Sequence, residues 1–378
     1  ETAAAASEIA AGLLSLGLEP GDQVSILSEN RLDWIFADLG ILSAGGVTVT
    51  IYPSNLPHEV EYIVNHSGSV FIVISNRAQL EKLADRKETM PGLKKVISLD
   101  ELSEAGDDVM GLAALREQGR KLLAEKPEAV RDRVSLIKPE DLATMVYTSG
   151  TTGPPKGAMI SHGNILSVFH ALDQILELDR DTDTTLSILP YAHVYERIGG
   201  IFNAIFAGIT IAIGEGLDKI AQNMQEIRPT IVLGAPRLYE KMHSAILKNI
   251  ESSPALKKKI FGWALEVGRG AAAYKLEKKP LPPLLSLQNA LAGKLVFNAF
   301  KQRFGGRIRF FVSAAAPISK EILEFMSALD ITIIEGWGMT ETSAPSTINH
   351  PDRIRIGSVG QALPGTEVKI AEDGEILV

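Results

Sequence analysis

The stretch Thr148-Ser149-Gly150-Thr151-Thr152-Gly153-Pro154-Pro155-Lys156-Gly157 follows an apolar and β-branched run, Ala143 to Tyr147. A helix-like segment begins at about His162 or Asn164. A strand, a loop and a helix are therefore expected in that order. Small hydroxyl residues, three glycines and a lysine on such a loop suit a polyphosphate. Glycine lets backbone N–H groups approach phosphate oxygens closely, and the hydroxyls and lysine add donors and charge. Ser, Thr, Gly and Pro also favour ordinary solvated turns, so composition alone leaves both readings open.

Outward from this loop, strand and helix signals alternate. Strands are expected over residues 23–27, 47–51, 70–74, 142–147, 185–189, 210–213, 230–233, 309–312 and 332–335. Helices are expected over residues 31–43, 57–65, 164–176 and 198–206. This alternation predicts an α/β fold with largely parallel sheets. The number of strands exceeds one comfortable sheet, so two stacked α/β subdomains are expected, in residues 1–180 and 181–350 with interleaved boundaries. Residues 237–305 read as nearly all helix. From Gly357 short strand-like runs are broken by Gly and Pro, which predicts a small β-barrel-like subdomain beginning within residues 351–378.

The 378 residues contain 38 Lys+Arg against 46 Asp+Glu, a net charge of −8 that argues against general nucleic-acid binding. With no cysteine, disulfides, thiolate metal sites and a cysteine nucleophile are excluded. Any thiol chemistry must use a thiol carried by a substrate. No apolar run is long enough for a membrane-spanning helix, so a cytoplasmic location is the expectation. Both chain ends read as interior to longer elements.

A P-loop NTPase places four residues between its glycine and Gly-Lys-Ser/Thr. Here Gly153 is followed by Pro154-Pro155-Lys156-Gly157, so no hydroxyl follows the lysine to hold magnesium. A Gly-x-Gly-x-x-Gly fingerprint is also missing. The ordered string Tyr147–Gly157, with its extension Ala158-Met-Ile-Ser-His162-Gly-Asn164, instead resembles the signature of the adenylate-forming superfamily. That superfamily includes acyl-CoA synthetases, luciferase-like enzymes and peptide-synthetase adenylation domains. The resemblance implies that Thr148, Ser149, Gly150, Thr151, Thr152, Gly153 and Lys156 bind the β- and γ-phosphates of ATP, which leave as pyrophosphate.

Further segments carry the same resemblance. Glu335-Gly336-Trp337-Gly338-Met339-Thr340-Glu341 is similar to the second signature, usually Tyr-Gly-x-Thr-Glu. It implies that Trp337 stacks on adenine, Thr340 reaches the α-phosphate, and Glu341, with Thr148, holds Mg²⁺. Trp in place of Tyr keeps stacking and loses a phenolic hydrogen bond. Taken alone, Thr340 also reads as a helix N-cap. Ser313-Ala-Ala315-Ala316-Pro317 resembles the segment that lines the adenine and acyl sites, with Ala at two positions that are often Gly. Leu189-Pro-Tyr-Ala-His193-Val-Tyr-Glu196-Arg197 is similar to a block of the long-chain acyl-CoA synthetases, which implies His193 beside the substrate carboxylate. No firm role follows for Glu196 or Arg197. Residues 228–241 and 357–365 resemble that subclass too.

The resemblance implies a long-chain fatty-acid–CoA ligase. ATP activates the fatty acid as acyl-adenylate with Mg²⁺, and the CoA thiol then displaces AMP. Lys156, Thr340, Glu341 and His193 are the expected catalytic residues. Adenylation of an aryl, medium-chain or amino acid remains an alternative, as does a non-catalytic nucleotide- or lipid-binding relative. The family's ribose-binding aspartate, hinge and small C-terminal domain normally follow the residues matching Glu375–Val378. This chain is thus expected to be the large domain alone, with its partner domain absent and slow turnover. Residues 256–279 hold seven Lys or Arg against two Glu, interleaved with Phe261, Trp263 and Leu265. This reads as a solvated helix face or as a peripheral membrane contact.

Overall fold

Val47-Thr-Val-Thr-Ile51 is β-branched throughout, and all five side chains are buried. β-Branched residues fit a pleated surface, and a strand covered on both faces needs no polar alternation. The computed structural model describes residues 1–103, 106–148 and 153–378, and this strand lies near the middle of its first sheet. The chain divides into two compact units, Glu1–Leu166 with Pro190–Val194, and Ser167–Leu189 with Tyr195–Val378.

The first unit holds β1 (Gln23–Leu27), β2 (Val47–Ile51), β3 (Phe71–Ile74), β4 (Lys95–Ser98), β5 (Val109–Gly111), β6 (Leu142–Thr148) and β7 (Lys156–Ser161). Their order is β5-β4-β3-β1-β2-β6-β7, parallel except for the last pair. Leu27, Val49, Ile51, Ile72, Ile74 and Tyr147 belong to one buried cluster against the helix Pro57–Ser67. That helix starts on Pro57, whose missing N–H costs nothing in the first turn. The Glu59 carboxylate accepts the Leu56 N–H at 2.7 Å, and the helix ends on Gly68 at φ 73°.

The second unit holds β8 (Thr184–Ser187), β9 (Thr210–Ile213), β10 (Ile231–Gly234), β11 (Phe310–Ser313), β12 (Ile333–Met339), β13 (Ala344–Ile348) and β14 (Gln361–Ala362). Their order is β14-β13-β12-β11-β10-β8-β9. The run from β9 to β12 is parallel, and β13 and β14 continue it antiparallel. Residues 237–305 are mainly helical, as the sequence implies, with helices Pro236–Glu251, Ala255–Leu276, Pro283–Ala292 and Asn298–Arg303. The small β element near the C-terminal end is a two-stranded antiparallel sheet, β15 (Lys369–Ile370) with β16 (Ile376–Leu377).

Two features differ from the expected elements. The loop after Thr148 does not run straight into a helix: Lys156–Ser161 first returns as edge strand β7, and the helix His162–Leu176 follows. Lys-Gly-Ala-Met-Ile-Ser has little strand character of its own, so pairing with β6 imposes the extended form. The expected helix over residues 198–206 is a π-helical stretch, Tyr195–Phe202, continued by the helix Asn203–Ala207.

In the first unit the helix Thr2–Ser15 packs closely on Leu112–Glu125. A Cβ on Gly119 would lie 1.8 Å from the Glu8 carbonyl oxygen, so only glycine fits this crossing. Gly119→Ala is expected to lower unfolding stability by about 3 kcal/mol, read as a lower midpoint in urea denaturation.

Candidate active site

Strand β6 delivers Thr148 to the carboxyl end of the first sheet, and antiparallel β7 places Lys156 directly opposite it. Thr148 and Lys156 thus stand at the two stems of one loop. Gly153 within it adopts φ 100°, which a side chain would strain, and Lys156 is exposed. Ser149, Gly150, Thr151 and Thr152 lie outside the described residues.

The hairpin rests on an aromatic support. Tyr62 donates its hydroxyl to the Pro155 carbonyl at 3.1 Å. Its ring stacks on His66, with centroids 5.1 Å apart. His66 Nδ1 meets the Tyr147 hydroxyl at 2.8 Å. A Cβ on Gly157 would come within 3.2 Å of the Tyr147 ring, so the return strand lies tight against it. Burial first of all pushes the Tyr147 phenol up to about 12, which keeps it neutral and able to donate.

His193 belongs to the same unit. Its turn, in which the His193 N–H donates to the Pro190 carbonyl, is held at the carboxyl ends of β1 and β2. Asn30 accepts the Tyr191 N–H at 2.9 Å, and Thr50 donates to the Ala192 carbonyl at 2.9 Å. Trp34 meets Tyr191 edge to face. β6 lies beside β2, so the Thr148 and Lys156 stems and the His193 turn share one edge of one largely parallel sheet. Ligands of open α/β sheets bind at that edge. Burial lowers the His193 pKa from 6.5, which leaves the ring neutral at pH 7.

The second unit gathers the remaining expected residues on adjacent strands. Ser313 at the end of β11 lies opposite Glu335 in β12. Ala315, Ala316 and Pro317 follow β11, and Ala315 adopts φ 71°. An alanine held there costs about 1 kcal/mol over its ordinary conformation. Tyr239 donates to the Val312 carbonyl at 2.6 Å and Tyr195 donates to it at 3.0 Å, so two buried phenols fix the residue before this segment.

Glu335, Gly336, Trp337 and Gly338 continue along β12, and Thr340 and Glu341 begin the 3₁₀ turn Thr340–Thr342. The Met339 N–H donates to the Thr342 hydroxyl at 3.0 Å, which closes that turn. Trp337 is half-buried and Glu341 exposed. Burial raises the Glu335 pKa, against a hydrogen bond from the Gly357 N–H at 3.1 Å. A bulge between Trp337 and Gly338 re-aims the strand against β13. A Cβ on Gly338 would lie 1.9 Å from the Ala344 carbonyl oxygen.

A model of AMP-binding enzymes matches residues 1–377. The chain belongs to the AMP-binding enzyme family. The long-chain-fatty-acid–CoA ligase ACSBG2 of Xenopus laevis is 34% identical, covering 97% of this chain and 51% of that protein. The long-chain-fatty-acid–CoA ligase FadD15 of Mycobacterium bovis is 30% identical, covering 100% of this chain and 61% of that protein. The chain thus spans between half and two thirds of the length of these relatives. The crystal structure of the anthranilate CoA ligase AuaEII with anthranoyl-AMP matches at TM-score 0.71 and 19% identity, covering 100% of this chain and 62% of that one. At that identity the match establishes a shared fold.

Sequence reasoning did not find the residues that support the site. Tyr62, His66, Asn30 and Thr50 lie far along the chain from what they hold, and Tyr195 and Tyr239 carry no motif of their own. Tyr195 lies inside the quoted block, but its target, Val312, is 117 positions away. Glu196 and Arg197 are also resolved. Ser187 donates to Glu196 Oε1, Glu196 Oε2 has no partner among the described residues, and the Arg197 guanidinium lies 5.1 Å from the Phe202 ring centre.

Two outcomes follow. Burial pushes Glu196 up to about 8, so its folded form holds a proton that the unfolded chain releases near 4.5. A raised folded pKa gives stability that is full below the unfolded value and lost as pH rises through the folded one. Urea unfolding at pH 5 and pH 9 is expected to show wild type losing on the order of 4 kcal/mol more than Glu196→Gln over that interval. Gly338→Ala must shift β12 from β13, and is expected to cost about 3 kcal/mol, read as a lower midpoint in urea denaturation.

Proposed function

We propose that this chain is the large domain of an AMP-forming long-chain fatty-acid–CoA ligase. The reaction joins a fatty-acid carboxylate to the α-phosphorus of ATP, releases pyrophosphate, and transfers the acyl group to the CoA thiol with loss of AMP. Attack on the α-phosphorus leaves pyrophosphate as the charged leaving group, so donors and cations must be ready on that side. In this reading Thr148, Lys156 and the loop amides meet the β- and γ-phosphates. Trp337 stacks on adenine, with Ala315, Ala316, Pro317 and the backbone of residues 335–338 around it. Thr340 reaches the α-phosphate.

Neutral His193 adjoins the acyl carboxylate, where an uncharged ring can orient the nucleophile without neutralising it. Glu341, with Thr148, would hold Mg²⁺, which would disperse phosphate charge. The described residues contain no cluster of three or more His, Cys, Asp or Glu suited to a metal. One exposed carboxylate and a hydroxyl suit a magnesium ion carried mainly by the phosphates and water. Thioester formation without an enzyme cysteine agrees with the chain's lack of that residue.

The observation that carries this reading is Thr148 opposite Lys156 across the mouth of the loop, on a chain matched throughout by AMP-binding enzymes. The fatty-acid assignment rests on the Leu189–Arg197 block and on the names of the relatives at 30–34% identity. The chain spans 51% and 61% of the two relatives compared, so the reaction is best assayed on a form extended to their length.

Pyrophosphate release should be measured on that longer form with palmitate, octanoate, benzoate and an amino acid. Palmitate is expected to be fastest, and another acid winning would reassign the substrate. Lys156→Ala and Glu341→Gln are each expected to lower kcat/KM for ATP by about a hundredfold or more. Trp337→Ala is expected to raise KM for ATP about tenfold and Trp337→Phe far less. Unchanged rates in Lys156→Ala would indicate a pocket kept for binding rather than catalysis.

A further inference from the structure

His193 is held through Asn30, and Asn30 lies in a link of four residues, 28–31, between β1 and the helix Leu32–Ser43. These residues and the His193 turn all belong to the first unit. The link leaves the sheet at a particular place. β1 pairs with β2 on one side and with β3 on the other. The chain crosses from β1 to β2 and then back past β1 to β3, so the carboxyl end of β1 is where its direction across the sheet reverses. Connections part at such a point and open a crevice in which ligands bind.

Three consecutive side chains of the link reach three different elements. Glu29 turns to the end of β3. The Ser75 hydroxyl and the Asn76 amide, at 3.4 Å, donate to its Oε2, and the Gln79 amide donates to its Oε1 at 2.9 Å. Asn30 turns to Tyr191. Arg31 pairs with Asp100 beyond β4 at 2.7 Å and with Asp33 at 2.8 Å. Asn30 is therefore flanked on each side by a residue with an ionised contact.

Glu29 is exposed, and an exposed carboxylate ordinarily keeps its water. This one exchanges water for three side-chain donors from one strand end. The donors are themselves fixed. Ser75 and Gln79 are buried, and Asn76 caps the helix Arg77–Glu81 by accepting the Gln79 N–H at 3.2 Å. Although partial burial pushes the Glu29 pKa up, the bonds from Ser75, Gln79 and Asn76 hold it below 4.5, so the group is an anion at pH 7. Hydrogen bonds to an ionised acceptor are roughly twice as strong as neutral ones.

We propose that Glu29 is a positioning residue for His193. It ties the link to the end of β3, so that Asn30 presents its oxygen to the Tyr191 N–H at a fixed place and the His193 turn stays packed on the strand ends. Glu29 acts through Asn30 and touches no reacting atom.

Burial is what lowers the His193 pKa, so a ring that gains water moves back toward 6.5. Histidine-ring NMR of the 378-residue chain reads this, with the His193 signal assigned by its loss in His193→Gln. Glu29→Ala is expected to raise the His193 pKa by about 0.5 or more and to leave the other histidines unmoved. Glu29→Gln, which keeps one acceptor but sets an amide N–H against the same donors, is expected to shift it in the same direction. Asn30→Ala is expected to do so as well, and the double variant Glu29→Ala/Asn30→Ala to match Asn30→Ala alone, because the two residues act in series. A purely structural role would lower the urea midpoint and leave the native titration as it is. A wild-type His193 titration in Glu29→Ala or Glu29→Gln therefore overturns the proposal, and so do shifts that add in the double variant. The consequence for the reaction rests on the proposed function. On the longer form, Glu29→Ala is expected to lower kcat/KM for palmitate about tenfold with KM for ATP unchanged. A shifted His193 titration with unchanged palmitate kinetics supports the positioning role and counts against His193 beside the acyl carboxylate.

Discussion

Neighbouring parallel strands can be joined only by a crossover, because the chain must return to its starting end before it pairs again. Each crossover leaves the carboxyl end of its strand free, so loops with different sequences collect along one edge. In the first unit this constraint puts Thr148, Asn30 and the His193 turn at a common edge, although they are far apart in sequence. In the second it puts the Ala315 segment beside the Trp337 strand, because β11 and β12 run in the same direction. The chemistry of the proposed site depends on that shared direction more than on any single hydrogen bond.

The edge also has to be held rigid, and buried and half-buried tyrosines do much of this. Tyr62 and Tyr147, with His66 between them, tie the hairpin to the helix behind it. Tyr195 and Tyr239 converge on the carbonyl of Val312 at the end of β11. A phenol suits this role because its ring fills core volume while its hydroxyl satisfies a carbonyl that would otherwise be buried unpaired. Burial also raises the pKa of Tyr147, Tyr195 and Tyr239, so these three remain donors across the physiological range. Two of the buried polar atoms without a hydrogen-bond partner among the described residues, Glu196 Oε2 and Ser313 Oγ, lie in the second unit. Glu196 avoids the cost of a buried charge by holding its proton.

Much of the candidate site was legible because its chemistry sits in continuous strings. Tyr147–Gly157 and Glu335–Thr342 each carry their spacing within one loop or one strand end, where local order decides what the backbone can present. The α/β class was legible for a similar reason: buried parallel strands need uninterrupted β-branched runs, and Val47–Ile51 is one. Strand β7 was not legible. Its residues have no strong preference, and only β6 beside it makes it a strand. The π-helical stretch at Tyr195–Phe202 was read as an ordinary helix because periodicity over so few residues cannot separate the two.

The sequence by itself determined the class of fold, the family, and the residue types available for phosphate, base and carboxylate. Those follow from local patterns, which depend on neighbours along the chain. Tertiary structure alone decided that Thr148 faces Lys156, that His193 sits in a turn clamped by Asn30 and Thr50, and that Ala315 takes a left-handed conformation. The His193 clamp joins residues 142 and 161 positions apart, and the Thr148–Lys156 pairing depends on β7 adding to β6 rather than on a strand preference of its own, neither of which a linear pattern encodes.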